Sequence, residues 1–219
     1  MILTLPANLP ATKILSQEPF VAVFDDYVSG LEINTLKSLA SEQFKQALVS
    51  GAQGGVASAR RSGSNCWIKH HINPVVSGLS VRVSKLLGVP LTNAESLQMI
   101  HYGPTQEYAA HFDAWDPATE RGERCMAKGG QRLVTCLLYL NDVAAGGATG
   151  FPELNIEVTA RRGRLLLFYN CYSGTNMRHP GSLHGGLPVV SGEKWACNIW
   201  FRERPVQTTP GVKARLKSR

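Results

Sequence analysis

Hydrophobic residues in the first ninety positions recur at helical spacing in two places. The first predicted helix covers about residues 30–49, and Ser29 with Glu32 matches the Ser-x-x-Glu capping box at its start. The second covers about residues 74–87 and begins at an Asn-Pro pair, an N-cap followed by proline at the first helical position. We therefore expect two helices before residue 90.

The pattern changes after about residue 94, where short β-branched and aromatic segments are separated by glycine. No helix-length period lies between these segments, so a parallel sheet with crossover helices is not expected. Short strands with glycine turns instead indicate packed antiparallel sheets. The predicted fold is α+β, a double-sheet jelly roll with the N-terminal helices packed on one sheet. The predicted strands are SLQMIHY (96–102), RLVTCLLYL (132–140), IEVTA (156–160), GRLLLFYN (163–170) and KWACNIWFR (194–202).

No internal repeat or linker divides the chain, so a single domain is predicted over residues 18–203. Its jelly-roll core is predicted at about 94–203. Residues 1–17 are expected to form an extended, poorly packed lead-in. Residues 204–219 are expected to form a basic, solvated tail.

Composition argues against several classes of protein. The net charge of +7 bears on association, but no basic stripe alternates with aromatic residues, so a nucleic-acid partner is not expected. No apolar run approaches the ~20 residues of a membrane helix, and the N-terminus lacks the pattern of a secretory signal. The five cysteines are scattered without a C-x-x-C pair. This argues against a disulfide framework or a zinc ribbon and favours a cytoplasmic location.

Candidate chemistry begins at His111 and Asp113, which would point to the same face of a strand. His184 precedes two glycines that let the backbone turn tightly. Two histidines and one carboxylate form a facial triad, which leaves open coordination positions and suits non-haem Fe(II). Lys194 begins an apolar strand, and a lysine buried there needs an anion. The pattern therefore predicts a ferrous site beside a lysine that pairs with a dicarboxylate.

Four ordered blocks of sequence resemble the prolyl 4-hydroxylase family of Fe(II)/2-oxoglutarate dioxygenases. One departure is that Gly103 follows directly after the first tyrosine of its block. The resemblance covers about residues 18–203 and implies the double-stranded β-helix fold. The blocks are HYGPTQEYAAHFDAW (101–115), QRLVTCLLYLNDVAAGGATGFPE (131–153), GRLLLFYN (163–170) and SLHGGLPVVSGEKWACNIWFRE (182–203).

The resemblance implies an enzyme that converts 2-oxoglutarate and O₂ to succinate and CO₂ while hydroxylating a prolyl residue in a peptide or protein. It also implies L-ascorbate as the reductant that restores oxidised iron. The implied site residues are His111, Asp113 and His184 for Fe(II); Lys194, Thr149 and Tyr102 for 2-oxoglutarate; and Tyr108, Arg132 and Trp200 facing the substrate.

Alternatives remain open at this stage. The substrate could be a free amino acid or another small molecule, with Arg132 as a carboxylate clamp, and substrate choice is expected in the loops at 50–66 and 114–130. A catalytically silent jelly-roll binding module would fit a chain that had lost a triad residue or Lys194, but none is lost. A zinc hydrolase would need a general base that no motif supplies. Structural roles also compete: cross-strand packing for Tyr102 and Tyr108, a turn for Thr149, a solvated edge for Arg132 and the core for Trp200.

Overall fold

A computed structural model describes residues 9–41, 43–46, 49–50, 55–56 and 62–206. The helices of this described part are α1 (Gly30–Ser41), α2 (Pro74–Leu87) and α3 (Glu120–Met126). Its strands are β1 (Lys13–Gln17), β2 (Phe20–Phe24), β3 (Lys45–Gln46), β4 (Val49–Ser50), β5 (Gly55–Val56), β6 (Ser64–Ile68), β7 (Leu97–Tyr102), β8 (Tyr108–His111), β9 (Arg132–Tyr139), β10 (Ala145–Gly146), β11 (Thr149–Phe151), β12 (Ile156–Val158), β13 (Leu165–Tyr169), β14 (His184–Gly186), β15 (Val189–Ser191) and β16 (Lys194–Arg202).

Eight strands form one antiparallel sheet, the large sheet, in the order β1-β2-β13-β9-β16-β7-β6-β3. Its longest strand, β16, pairs with β7 on one side and β9 on the other. Successive side chains of a strand point to opposite faces. Strand β16 therefore places Trp195 and Cys197 on one face of the sheet and Lys194, Asn198 and Trp200 on the other.

A four-stranded sheet, the small sheet, has the order β12-β11-β14-β8. Its Phe151 and Val158 pack with Ile100, Leu137 and Leu166 of the large sheet in one buried cluster. The two sheets therefore face each other, as predicted for a double-stranded β-helix, and the described strands do not close into a barrel. Two short pairs, β10-β15 and β4-β5, complete the described sheets.

Helices α1 and α2 cover the opposite face of the large sheet, as predicted. Their apolar side chains belong to a second buried cluster, which the outward-facing residues of the large sheet complete. The helix members of this cluster are Ile33, Leu36, Ala40, Val76, Leu79, Val83 and Leu87.

The predicted caps form at both helices. Asn73 Oδ1 accepts a hydrogen bond from the Val76 N–H at 2.9 Å, and α2 has the predicted bounds. The Ser29 N–H donates to Glu32 Oε2 at 2.9 Å, which is one half of the capping box at α1. The predicted end of α1 near residue 49 is wrong, because the helix stops at Ser41.

The structure explains the early end of α1 and differs from two other local predictions. Strand β3 pairs with β6 at the edge of the large sheet, which takes the chain after α1 out of the helical path. Strand β1 pairs with β2, so the end of the predicted lead-in belongs to the large sheet. The loop predicted at 114–130 contains α3, and Thr119 caps that helix.

The rest of the lead-in (1–8), the basic tail from residue 207 and most of the loop at 50–66 lie outside the described residues. Among the helices of the described part, none is both long and apolar enough to cross a membrane.

Candidate metal centre

The two candidate histidine ligands are direct neighbours across two strands of the small sheet. Strands β8 and β14 are antiparallel, and His184 is the register partner of His111. Side chains of residues opposite each other in an antiparallel pair lie close together. The imidazole centroids are accordingly 4.5 Å apart.

Backbone carbonyls orient both imidazoles. His111 Nδ1 lies 3.0 Å from the Ala109 carbonyl oxygen, and His184 Nδ1 lies 2.9 Å from that of Ser182. A carbonyl oxygen only accepts, so in the neutral ring each Nδ1 carries the proton and each Nε2 carries the lone pair. This is how metal-binding histidines are usually held.

Asp113 supplies a carboxylate between the two imidazoles. It lies just beyond the end of β8, with Oδ1 3.8 Å from His111 Nε2 and Oδ2 3.5 Å from His184 Nε2. One potential ligand atom from each of the three residues lies within 4.8 Å of the others. The sequence-predicted triad is therefore assembled, with a donor set that fits a divalent metal such as iron.

The large sheet fixes the Asp113 carboxylate. The Thr135 hydroxyl and the Trp200 indole N–H both donate to Oδ2, at 2.7 and 2.8 Å. Burial opposes ionisation of this carboxyl group, but His184, His111 and Arg132, together with the Trp200 hydrogen bond, lower its pKa. Asp113 is therefore held as a carboxylate whose Oδ1 remains available to a metal.

A cavity of about 780 Å³ opens above the triad between the two sheets. All nine sequence-predicted site residues line it. Its volume lies within the range of ligand-binding cavities.

Lys194 lies deep in this cavity and is only 2% exposed. Its ammonium stands 5.4 Å from the Tyr139 ring centroid, and no carboxylate of the described residues forms an ion pair with it. Burial alone lowers the pKa of Lys194 to about 7. Because burial of an unpaired charge is costly, Lys194 is a candidate binding group for an anion.

The other two predicted cosubstrate residues surround Lys194. Tyr102 is its register partner on β7 and is buried. Thr149 is also buried, and its hydroxyl oxygen accepts a hydrogen bond from the Tyr139 hydroxyl at 2.7 Å. That bond leaves the Thr149 proton free to point at a ligand.

Two aromatic residues predicted to face the substrate contact the triad. The Tyr108 ring stacks on the His111 imidazole, with centroids 3.7 Å apart and an interplanar angle of 19°. Trp200 is 5% exposed, holds Asp113 and has Trp67 as a ring neighbour at 6.1 Å. Trp200 is therefore both buried and part of the cavity wall, so the two sequence-based interpretations coexist.

Arg132 is not a solvated edge charge. Its guanidinium makes two 2.7 Å hydrogen bonds to Glu95 and lies over the Trp200 ring at 3.8 Å from the centroid. Arg202 Nε lies 3.0 Å from the same carboxylate. Arg132 Nε and Nη2 already donate to the Glu95 carboxylate. This pair of donors is therefore not available to bind the carboxylate of a free amino acid.

Sequence reasoning assigned no role to several residues that build the site. Glu95 gave no signal, because its partner Arg132 is 37 positions away. Thr135 lies in the second of the four sequence blocks (131–153), but the block gave it no role. Asn170 donates a hydrogen bond to its hydroxyl oxygen at 2.9 Å. The Gln131 side chain clamps the Trp115 backbone through two hydrogen bonds of 2.8 Å, which fixes the start of the loop that leads to α3.

The remaining histidines lie outside the triad. His70 contacts the Ser80 hydroxyl and the Glu95 carbonyl. His101 pairs with Glu193 at 2.8 Å, and the His179 side chain accepts from the Gly181 N–H. Each of these three side chains is held by contacts within the described part of the chain, and His71 is exposed.

The chain is similar in sequence to known 2OG-Fe(II) oxygenases. Residues 97–202 match the model of the 2OG-Fe(II) oxygenase superfamily. Prolyl 4-hydroxylase 2 of Arabidopsis thaliana is 32% identical over 217 residues, which span 89% of this chain and 71% of that protein. A protein of Acanthamoeba polyphaga mimivirus with a provisional prolyl 4-hydroxylase name is 38% identical over 161 residues, or 74% of this chain.

A crystal structure has a similar fold. It is the viral collagen prolyl hydroxylase of Paramecium bursaria Chlorella virus-1 in complex with 2OG, with a TM-score of 0.65 and 25% identity, covering 83% of this chain and 95% of that one. The chain spans 64% of the mimivirus relative and about 35% of the animal prolyl 4-hydroxylase alpha-1 subunits that it also matches.

The hydrogen bond from Thr135 to Asp113 generates a prediction about metal affinity. Thr135→Val keeps the side-chain shape and removes the hydroxyl, so Asp113 loses one of the two donors that fix it. We expect Co²⁺ or Mn²⁺ to bind about 10- to 100-fold more weakly, as when outer partners of metal ligands are removed. Thr135→Ser retains the hydroxyl and serves as the control. Equal metal affinity in wild type and Thr135→Val, measured by titration, would contradict the positioning role.

The lowered pKa of Lys194 generates a prediction about stability. Below about pH 7 the folded, ligand-free protein must bury a charge. Between about pH 7 and 10.5 the unfolded chain holds a proton that the folded protein has lost, so the cost falls as pH rises. Lys194→Met should therefore be more stable than wild type near pH 6, by up to about 5 kcal/mol.

The difference between the two free energies of unfolding should shrink toward pH 10. Urea unfolding of both proteins at the two pH values measures it. A difference that does not change with pH would show that Lys194 is not a buried titrating group.

Proposed function

The chain belongs to the prolyl 4-hydroxylase family of Fe(II)- and 2-oxoglutarate-dependent dioxygenases, and on this premise we propose that it hydroxylates a prolyl residue in a peptide or protein. The reaction consumes 2-oxoglutarate and O₂ and yields succinate, CO₂ and the hydroxylated residue. The observation that carries the proposal is the His-Asp-His cluster in one cavity with a buried lysine that has no carboxylate partner among the described residues.

His111, Asp113 and His184 would hold the ferrous ion. Bound there, Fe(II) supplies the O₂-activating chemistry that oxidises the prolyl ring. The chain's own residues position it: Ala109 and Ser182 carbonyls set the two imidazole tautomers, while Thr135 and Trp200 set the carboxylate.

Lys194 would pair with the distal carboxylate of 2-oxoglutarate. The buried ammonium would gain the countercharge that it lacks among the described residues. The hydroxyls of Thr149 and Tyr102 would donate to the same carboxylate. Thr149 is pre-oriented for this because Tyr139 already occupies an acceptor site on its oxygen.

Tyr108, Arg132 and Trp200 would face the prolyl substrate. They surround the open side of the triad, where their rings and the Arg132–Glu95 pair shape the wall. A peptide rather than a free amino acid is favoured because the Arg132 fork is occupied by Glu95. The name of the related viral enzyme, a collagen prolyl hydroxylase, is consistent with a polypeptide substrate.

We further propose that L-ascorbate maintains the iron in its ferrous state and that the enzyme works in the cytoplasm. All five cysteines are free and four are buried, an arrangement that suits a reducing compartment.

The proposed reaction predicts succinate formation that depends on a peptide. Protein incubated with Fe(II), 2-oxoglutarate, ascorbate and O₂ should release succinate faster with a proline-containing peptide, and the peptide should gain the mass of one oxygen atom. His111→Ala should abolish both turnover and metal binding, because it removes a ligand. His71→Ala removes an exposed imidazole that does not line the cavity and serves as the matched control.

Each other outcome of that assay is informative. Slow succinate formation that no peptide accelerates would assign the iron site to a different substrate. No succinate from protein shown to contain iron would favour the silent binding module. Turnover at the wild-type rate in His111→Ala would remove this residue from the site.

The proposed lysine–carboxylate pair predicts a selective loss of cosubstrate affinity. Lys194→Met should raise the concentration of 2-oxoglutarate needed for half-maximal rate by roughly 10- to 100-fold, since a hydrogen bond to a charged group contributes about 1.5–3 kcal/mol. The Kd for Mn²⁺ should stay near that of wild type. An unchanged 2-oxoglutarate dependence would refute the pairing.

A further inference from the structure

The charges that line the cavity are strongly unequal. Four cationic side chains line it, but Asp113 is the only carboxylate among the lining residues that the structure describes. The four cations are Lys45, Arg121, Arg132 and Lys194. A cavity with one sign of charge on its walls attracts the opposite charge.

The two inner cations have partners once the proposed site is loaded. Arg132 is paired with Glu95 through two hydrogen bonds, and Glu95 is shared with Arg202, which does not line the cavity. One carboxylate of 2-oxoglutarate would neutralise Lys194. The two charges of Fe(II) would be balanced by Asp113 and the other carboxylate of 2-oxoglutarate, so the reaction centre would carry no net charge.

The two outer cations have no countercharge among the described residues. Lys45 on β3 and Arg121 on α3 are exposed, and neither forms an ion pair with a described residue. The acidic residues nearest to Arg121 in sequence, Glu120 and Glu123, do not line the cavity. Asp116 lies 3.6 Å from Arg178.

Resting on the proposed function, we propose that the preferred substrate is an acidic peptide, with Asp or Glu side chains near the prolyl residue that enters the cavity. Lys45 and Arg121 belong to elements far apart in sequence, and both side chains reach the cavity wall. Carboxylates on a bound peptide would meet these two cations while the prolyl ring reaches the triad. The two side chains thus determine specificity and are not catalytic.

The test uses three peptides of equal length, each with one central proline and neighbouring residues that are Glu, Gln or Lys. With iron-loaded wild type at low ionic strength, kcat/KM should be about two- to tenfold higher for the Glu peptide than for the Gln peptide, and lower still for the Lys peptide. The preference should weaken as salt is added. Equal kcat/KM for the three peptides at low salt would overturn the proposal.

Charge reversal tests the assigned residues. The double variant Lys45→Glu/Arg121→Glu should reverse the order of the Glu and Lys peptides. Lys85→Glu reverses an exposed cation on α2 that does not line the cavity, and it should keep the wild-type order. Because the double variant reverses two charges and Lys85→Glu reverses one, a change in the control about half as large as that in the double variant would show a general effect of net charge and overturn the assignment.

Binding separates this inference from the proposed function. Peptide affinities for protein loaded with Mn²⁺ and 2-oxoglutarate, measured anaerobically by calorimetry, should follow the same order as kcat/KM. Preferential binding of the Glu peptide without hydroxylation would support the charge preference and refute the prolyl hydroxylase activity. Hydroxylation of all three peptides without preference would support the prolyl hydroxylase activity and refute the charge preference. If no peptide binds and none is hydroxylated, both proposals are refuted.

Discussion

The hydrogen bonds from Thr135 and Trp200 to Asp113 are the contacts on which the site depends. Both donors belong to the large sheet, whereas Asp113 follows a strand of the small sheet. The bonds therefore connect the two sheets at the point where the carboxylate meets two imidazoles. Without them, the carboxylate would be a buried charge with incomplete partners, which is costly. The same contacts that join the sheets thus make Asp113 a rigid ligand.

Alternation along the strands of the large sheet separates stability from chemistry. One face packs under α1 and α2 in an apolar cluster. The other face carries polar side chains into the cavity, among them Thr135, Lys194 and Trp200. Because the helices cover only the first face, the second can hold groups that are poorly satisfied until a ligand binds. Lys194 is the clearest case, since its burial opposes its charge.

Glu95 links the charge balance of the cavity to its shape. Its carboxylate lies between Arg132 and Arg202, and burial is outweighed by these two cations, so its pKa is lowered. Arg202 also donates to the Cys125 carbonyl oxygen through both terminal nitrogens. The end of α3 is therefore attached to the sheet through the same network that holds Arg132 over Trp200. This connection makes the segment at 114–130 a part of the cavity wall.

The sequence by itself determined the local elements and the residue types of the site. Short β-branched and aromatic segments bounded by glycine predicted β7, β9 and β16, and the Asn-Pro pair predicted the start of α2, because these signals arise between neighbours in the chain. The ordered blocks around His111, His184 and Lys194 named the candidate residues.

Only the tertiary structure decided the contacts between distant positions. The register of β8 against β14 put His184 opposite His111, pairing at the sheet edge ended α1 at Ser41, and Glu95 found Arg132 across 37 positions. Each depends on which strands become neighbours, and strand pairing is set by packing of the whole chain rather than by local sequence.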